Sequence, residues 1–349
     1  VITIIALLFL SVTFSGISAN SGIIRIYGKR LPLAKEIPMR SDFIWMNGEL
    51  VPYEQATVHF ITPTLHYGVG VFEGIRCYST PKGPGVFRLG EHLERFLDSI
   101  HILGIQNFPY TVEDLRQATH LTIRENGFKE CYIRPLMYLK GPMGLNLDRS
   151  EPQVGIAAWE WGPYLGEEAK ETGVHMMVSS FTRLHPNTNM TKAKISGNYV
   201  NSMLVKTLAL RSGYDEAVIL DPQGFVAECT GENLFMVRNG VLYTPPAAPV
   251  LEGLTRDSII KLAADLGIPV EETMITRDQL YIADEVFITG TAAEVVGVRA
   301  IDHRTIGPGR PGPVTRKLTE AFTDVIRGLS PRSDEWLDYV DLKERQVAS

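Results

Sequence analysis

The stretch TKAKISGNYV, residues 191–200, sets two lysines two positions apart in front of a Ser-Gly-Asn-Tyr step. In an extended strand Lys192 and Lys194 would share a face. Two ammonium groups cannot both occupy one buried pocket without repulsion, so one of them turns outward or the strand breaks there. A lysine that forms a Schiff base must first lose its proton, which requires desolvation or a nearby cation. Lys194 is the better placed, because Ile195, Ser196 and Gly197 lead from it directly into a helix expected over about 199–211, with Val200, Met203, Leu204, Thr207 and Leu208 on one stripe. The ordinary reading of Lys-x-Lys is two solvated charges at a strand end. It gives way only if other parts of a site exist.

One such part is Glu228 in FVAEC, 225–229, a carboxylate on an apolar strand. A buried carboxylate needs a cation or several donors, and a protonated pyridine nitrogen is one such partner. A partly exposed strand glutamate is the plainer alternative, and Glu232 reads as structural. Gly253-Leu254-Thr255 opens a helix expected near 255–266, and Gly290-Thr291-Ala292 follows the strand EVFITG. Unpaired N–H groups at a helix start, the helix dipole and a threonine hydroxyl together suit a phosphate, although a capped helix and a turn would look the same. Tyr132 and Arg134 share a face of CYIRPL, where an arginine suits a carboxylate. Arg95 lies opposite Leu93, Leu97 and Ile100 on a helix, which places it toward solvent or toward another lobe.

Composition narrows the classes. The chain has 349 residues, 44% hydrophobic and 21% charged, with a net charge of -6. Such a balance has no general attraction for nucleic acid or anionic membranes and favours small-molecule chemistry. The three cysteines are widely spaced, and the eight histidines form no HExxH or HxH pair, so no disulfide framework and no metal site is indicated. GxxxxGK[ST], a helix-opening GxGxxG and GxSxG are all missing, which removes support for nucleotide-binding and α/β-hydrolase readings.

The length suits two lobes. Residues 1–38 begin with the apolar VITIIALLFLSVTFSGISAN and read as an upstream extension or a targeting segment. A small α+β domain is expected over 39–150 and a large cofactor-binding domain over 151–349. In the first, Asn47-Gly48 marks a hairpin, a helix runs from about Leu89 to Gly104, and a second spans about 111–126. GPMGLNLDRSEP, 141–152, is a turn or an interlobe linker, and VGIAAWEW falls in the second domain. A meander through Asn239-Gly240 and a helix near 314–327 complete the pattern. The Gly/Pro-rich GPGRPGP at 307–313 reads as a loop.

Taken in order, HYGVGVFEGIRCY, EHLERF, YIRPL, KISGNY, ECTGENLF, EGLTRD and ITGTAAE resemble the fold-type-IV pyridoxal-phosphate aminotransferases, most nearly the branched-chain amino-acid aminotransferases. The resemblance runs from about Asp42 to about Asp338. It implies an α/β fold of mixed α+β content, two lobes with pyridoxal 5'-phosphate between them, and a homodimer or homohexamer in which a partner subunit helps close the site. It also implies that Lys194 is the Schiff-base lysine, that Tyr199 hydrogen-bonds the phenolic oxygen, and that Glu228 faces the pyridine nitrogen. Arg95, Leu254, Thr255 and Thr291 match the phosphate cradle. Tyr67, Phe72, Tyr132 and Trp161 match apolar substrate walls, Arg134 the partner of a distal carboxylate, Thr291 with Ala292 the α-carboxylate site, and Gly74 with the GPMGLNL loop a cover. The implied activity is transamination of L-leucine, L-isoleucine and L-valine with 2-oxoglutarate, giving L-glutamate, in a cytoplasmic setting unless residues 1–38 direct the chain to an organelle. D-amino-acid or (R)-amine transaminases and aminodeoxychorismate lyase share the fold and are the alternatives. The sequence departs from the pattern at Ile195-Ser196, Cys229-Thr230 and Glu252, none of which removes a catalytic group.

Overall fold

The computed structural model describes residues 41–162 and 164–342, so the reading of residues 1–38 lies outside the described part. Among these residues the strands are β1 (Phe43–Met46), β2 (Glu49–Pro52), β3 (Gly70–Phe72), β4 (Ile75–Thr80), β5 (Gly83–Phe87), β6 (Cys131–Lys140), β7 (Glu151–Trp159), β8 (Val174–Thr182), β9 (Glu216–Leu220), β10 (Val226–Glu228), β11 (Asn233–Arg238), β12 (Val241–Thr244), β13 (Val270–Glu272), β14 (Glu285–Gly290), β15 (Glu294–Ile301), β16 (Arg304–Thr305) and β17 (Leu337–Tyr339). The first seven helices are α1 (Pro63–Tyr67), α2 (Leu89–Ile102), α3 (Val112–Asn126), α4 (Glu167–Thr172), α5 (Pro186–Asn189), α6 (Tyr199–Arg211) and α7 (Leu254–Asp265).

The strands form two sheets. The first has the order β17-β5-β4-β6-β7-β1-β2 with β3 paired to β6, and its pairs are antiparallel. The second has the order β10-β9-β8-β15-β14-β11-β12-β13 with β16 on β15, and it mixes antiparallel pairs with parallel ones at β8/β9, β15/β8 and β12/β13. Hairpins form where Asn-Gly steps place them: Asn47, Gly48, Asn239 and Gly240 all have positive φ, the backbone a tight primed turn requires.

On α2 the apolar residues recur at three and four, and Leu89, Leu93, Phe96 and Ile100 are buried against Ile75, Ile133 and Met137 of the first sheet. Each such side chain contributes roughly 1.5–3 kcal/mol of burial. Helix α3 starts at a capping box in which Thr111 and Asp114 exchange hydrogen bonds, and it buries Leu115 and Ile123 in the same core. The second sheet has a core on each side, one around Val174, Met176 and Ile288, the other around Phe235, Phe287 and Leu318 and shared with Tyr78, Phe87 and Leu337 of the first sheet.

Three local features differ from the sequence expectation. Strand β7, expected beyond a boundary at 150, pairs along its whole length with β6 in the first sheet. Residues 141–150 are therefore the turn between two paired strands, and the chain passes to the second sheet through 160–173. The C-terminal strand β17 also returns to the first sheet, beside β5. Finally, α6 turns its apolar stripe outward: Val200, Met203 and Leu204 are exposed, while Ser202, Val205 and Ala209 are buried. The small residues of that face let the helix sit close to Ala217 and Ile219 of β9, which bulky Met and Leu would hold off.

Candidate active site

Lys194 is strapped to the first sheet and to α2 by backbone contacts. The Phe72 N–H donates to the Lys194 carbonyl at 3.1 Å, and the Lys194 N–H donates to Ser99 Oγ at 3.0 Å. One residue on, Ile195 bridges Val71, and the Gly197 N–H donates to the Gly68 carbonyl at 2.9 Å. Glycine eases the close approach here. A Cβ on Gly197 would lie 3.2 Å from the Gly68 carbonyl oxygen, and Gly68 itself has φ +71°. The chain then makes a short turn over Ser196–Asn198 and enters α6, whose first residue is Tyr199.

The result separates the two lysines. Lys194 Nζ donates to the Tyr199 hydroxyl at 2.7 Å, and the Tyr199 ring stands edge-on to Phe72 at 4.7 Å. Lys192 points away, donating to the carbonyls of Ala247 and Val250 and pairing with Glu252.

Around Lys194 and Tyr199 opens a cleft of about 470 Å³, counting its mouth, lined also by Arg95, Arg183, Glu228, Leu254, Thr255 and Thr291. Glu228, 6% exposed, lies at one side, and its cation is Arg183, whose Nε is 2.5 Å from Oε1. Arg183 is a residue that the sequence reading missed. The available signal was the demand of Glu228 for a partner, but nothing in TRLHP says which positive charge folds back to meet it. Asn233 Nδ2 donates to the Leu251 carbonyl at 3.1 Å and ties the loop before α7 to β11.

The N-terminus of α7 faces the cleft with Gly253 as N-cap and no side-chain capping bond. Two arginines of α2 and its entry hold that helix in place. Arg88, in left-handed backbone at φ +49°, pairs with Asp257 at 2.5 Å and donates to the Leu254 carbonyl at 3.1 Å. Arg95 does not point to solvent: Nε and Nη2 donate to both oxygens of Glu73 at 2.8 and 2.9 Å, and Nη1 donates to the Glu252 carbonyl at 2.6 Å. Burial opposes ionisation of Glu73, but the Arg95 charge and the hydrogen bonds from His92 and Arg95 outweigh it, holding the carboxyl far below its ordinary range. Within the cleft lining, burial first, and then the charges of Glu216 and Glu228, push Glu232 up to about 8, with Lys206 opposing.

A second group of expected residues adjoins Phe72. The Arg134 guanidinium lies over the Phe72 and Tyr132 rings at 4.7 and 5.3 Å and donates to the Tyr132 hydroxyl at 3.1 Å. Trp161 meets the Tyr132 ring edge-on at 4.6 Å. Gly74 lies directly under Tyr132, where a Cβ would come within 2.1 Å of the hydroxyl. Arg76, buried on β4, donates to the carbonyls of Trp161 and Gly162 at 2.9 and 3.0 Å and pairs with Glu294 at 3.0 Å, joining that wall to the turn that carries Thr291 and Ala292. Tyr67 stands apart, 43% exposed on α1 and lining neither this cleft nor the apolar cavity beside β6.

A lysine amine against a phenol, a buried carboxylate and an uncapped helix N-terminus flanked by an arginine define a site for a cofactor that is anionic at one end and basic at the other. Residues 70–301 match the family described as amino-transferase class IV, and the chain belongs to that family. It is 49% identical over 298 residues to the branched-chain-amino-acid aminotransferase of Pseudomonas aeruginosa, covering 85% of this chain and 97% of that protein. Two solved structures are similar over most of the chain. The T.th. branched-chain amino acid aminotransferase with pyridoxamine 5'-phosphate has a TM-score of 0.83 and 48% identity, covering 87% of this chain and all of the other. The Escherichia coli branched-chain amino acid aminotransferase has a TM-score of 0.84 and 47% identity over 86% of this chain and all of its own.

Proposed function

We infer that this chain is a pyridoxal-phosphate-dependent transaminase of L-leucine, L-isoleucine and L-valine, with 2-oxoglutarate and L-glutamate as the second substrate pair. The observation that carries the reading is the 2.7 Å contact of Lys194 Nζ with the Tyr199 hydroxyl, inside the cleft bounded by Glu228 and the α7 N-terminus.

The residues fit the cofactor. A side chain at Gly253 would strike Asn233 Oδ1 at 2.0 Å, so the backbone of the α7 entry is kept bare, as close approach of a phosphate requires. Thr289 Oγ1 is buried in the same wall without a hydrogen-bond partner. The backbone N–H groups of Leu254 and Thr255, the hydroxyls of Thr255 and Thr291 and the Arg95 guanidinium would hold the phosphate. Pyridoxal phosphate, when bound, supplies an electron sink that acidifies the Cα–H bond of an amino acid. Glu228, fixed by Arg183, would keep a proton on a ring nitrogen set against it. Tyr199 orients Lys194 Nζ, and that amine takes the substrate's Cα proton as general base. Phe72, Tyr132 and Trp161 exclude water on the substrate side, with Gly74 leaving room beneath Tyr132.

The pocket must also accept a distal carboxylate. Among the described residues Arg134 makes no ion pair, and its Nε is buried without a partner, while its guanidinium faces are covered by aromatic rings. That combination supports a site that receives either an apolar side chain or the acid of glutamate. Two exposed apolar surfaces support a homo-oligomer in which a second copy completes the site: Phe60, Ile61, Leu65 and Tyr67 near α1, and the outward stripe of α6. The lobes in this reading divide at 160–173. Buried, unpaired Cys77, Cys131 and Cys229 suit a reducing, cytoplasmic setting, and among the described residues no helix is long and apolar enough to cross a membrane.

The test is the visible spectrum of the purified protein. L-Leucine is expected to abolish the long-wavelength band of the bound cofactor and 2-oxoglutarate to restore it, while Lys194→Ala abolishes turnover. Bleaching by D-alanine and not by L-leucine would move the protein to the D-amino-acid branch of the fold.

A further inference from the structure

Glu73 has no solvent exposure, and its side-chain donors all come from α2, at the approach to the anion end of the cleft. Arg95 supplies two N–H groups at 2.8 and 2.9 Å, and His92 Nδ1 lies 2.8 Å from the same carboxylate. The Gly74 N–H adds a fourth contact at 3.2 Å. His92 and Arg95 stand three residues apart on α2, so one helix face presents both to the carboxylate. His92 is itself buried, and burial depresses its basicity more than Glu73 restores it, so a neutral ring donates through Nδ1.

Two of the three guanidinium nitrogens of Arg95 are thereby committed to the carboxylate, one to each oxygen. The third, Nη1, is aimed at the Glu252 carbonyl, 2.6 Å away and one residue before the N-cap of α7. Rotation of Arg95 would release both that loop and the charge that faces the cleft. We propose that Glu73, backed by His92, is a positioning residue for phosphate recognition: it locks Arg95 in the one orientation that both anchors the α7 entry and presents positive charge to the phosphate. This deepens the reading of the cleft as a pyridoxal-phosphate site and rests on it.

Coulomb's law alone argues the opposite sign. A carboxylate beside Arg95 repels a phosphate, so a purely electrostatic Glu73 would weaken binding, and its neutralisation would tighten it. Positioning and charge therefore predict opposite outcomes for Glu73→Gln.

The experiment compares the dissociation constants of pyridoxal 5'-phosphate and of pyridoxal, which lacks the phosphate, on the full chain stripped of cofactor, read by absorbance and intrinsic fluorescence. The wild type is expected to prefer the phosphorylated form strongly. In Glu73→Gln that preference is expected to fall roughly tenfold or more, the worth of one hydrogen bond to a charged group, with pyridoxal affinity nearly unchanged. Glu73→Asp keeps the charge but draws the carboxylate back by one methylene, and its preference is expected to fall as well, which provides the reading if Glu73→Gln does not accumulate as folded protein. Preference retained or increased in these variants, or parallel loss of both ligands, overturns the proposal alone. A wild type that binds pyridoxal as tightly as its phosphate overturns the cofactor reading and the proposal with it.

Discussion

Glu73, behind Arg95, and Glu232, in the lining of the cleft, are buried to similar depth, 0% and 4% exposed, and they are driven in opposite directions. Glu73 is met by a guanidinium and an imidazole, and their combined pull overcomes its burial. Glu232 receives the Gly231 N–H at 3.0 Å, while the cation nearby, Lys206, is already paired with Glu216 at 2.6 Å. Burial and two neighbouring carboxylates then prevail, and its proton is held to about pH 8. Depth sets the size of the stakes in both cases. Which protonation state wins depends on donors that arrive from other elements.

The comparison breaks most visibly if Glu73 is removed outright. Glu73→Leu leaves the Arg95 guanidinium, with its side chain 14% exposed, facing an apolar group in place of its carboxylate. A loss of about 3–5 kcal/mol in unfolding free energy is expected, measured by urea denaturation at pH 7. A loss below about 1 kcal/mol would mean that Arg95 swings into the cleft and finds water, and that the depth of Glu73 carries little cost.

A smaller effect, of opposite pH sense, is expected at Glu232. The folded-state value of Glu232, about 8, lies above its ordinary 4.5, so between those values the folded chain binds more protons than the unfolded one. Stability contributed by this group is therefore complete at low pH and falls as pH rises toward 8. Glu73, held below its ordinary value, contributes stability that persists over the same window and is lost only in acid. Glu232→Gln should remain neutral throughout, flatten the decline, and raise stability at about pH 8 by an amount on the order of 1–3 kcal/mol relative to the wild type. Melting temperatures from about pH 5 to about pH 8 check this, and parallel curves for the two proteins would show that Glu232 is ionised across the range.

The same contrast explains what could be read from the sequence. The helical period of α2, the Asn-Gly hairpins and the short run from Lys194 into α6 are local, and residues 89–102 and 199–211 fold where their spacing says. Glu73-Gly74 and Gly231-Glu232 are both a glutamate beside a glycine, and no local rule separates their protonation states. Arg95 has the polar-face position of a solvated residue because helical periodicity records which side is apolar and is silent on which neighbour covers the other side. Arg183 and Arg76 were invisible for a related reason: their partners, Glu228 and Glu294, lie 45 and 218 residues away. The outward stripe of α6 reversed a face assignment because the small face of the helix also packs well, and close approach to β9 decided between the two.

The smallest effect is expected at Lys192, and it sharpens the comparison because Lys192 holds the same loop as Arg95 by a different means. Its Nζ pairs with the Glu252 side chain at 2.7 Å, with side chains 39% and 63% exposed, whereas Arg95 takes the carbonyl of that residue. An exposed ion pair of this kind is worth up to about 1 kcal/mol and is screened by salt. Lys192→Ala should therefore lose on the order of 1 kcal/mol, of which high salt removes the share due to the ion pair and not that of the bonds to the Ala247 and Val250 carbonyls, and leave the binding of pyridoxal phosphate nearly unchanged. A cofactor affinity that fell as far in Lys192→Ala as in Glu73→Gln would place control of the α7 entry with the surface charge. Equal affinity in Lys192→Ala and wild type would leave that control with the buried carboxylate and the arginine it fixes.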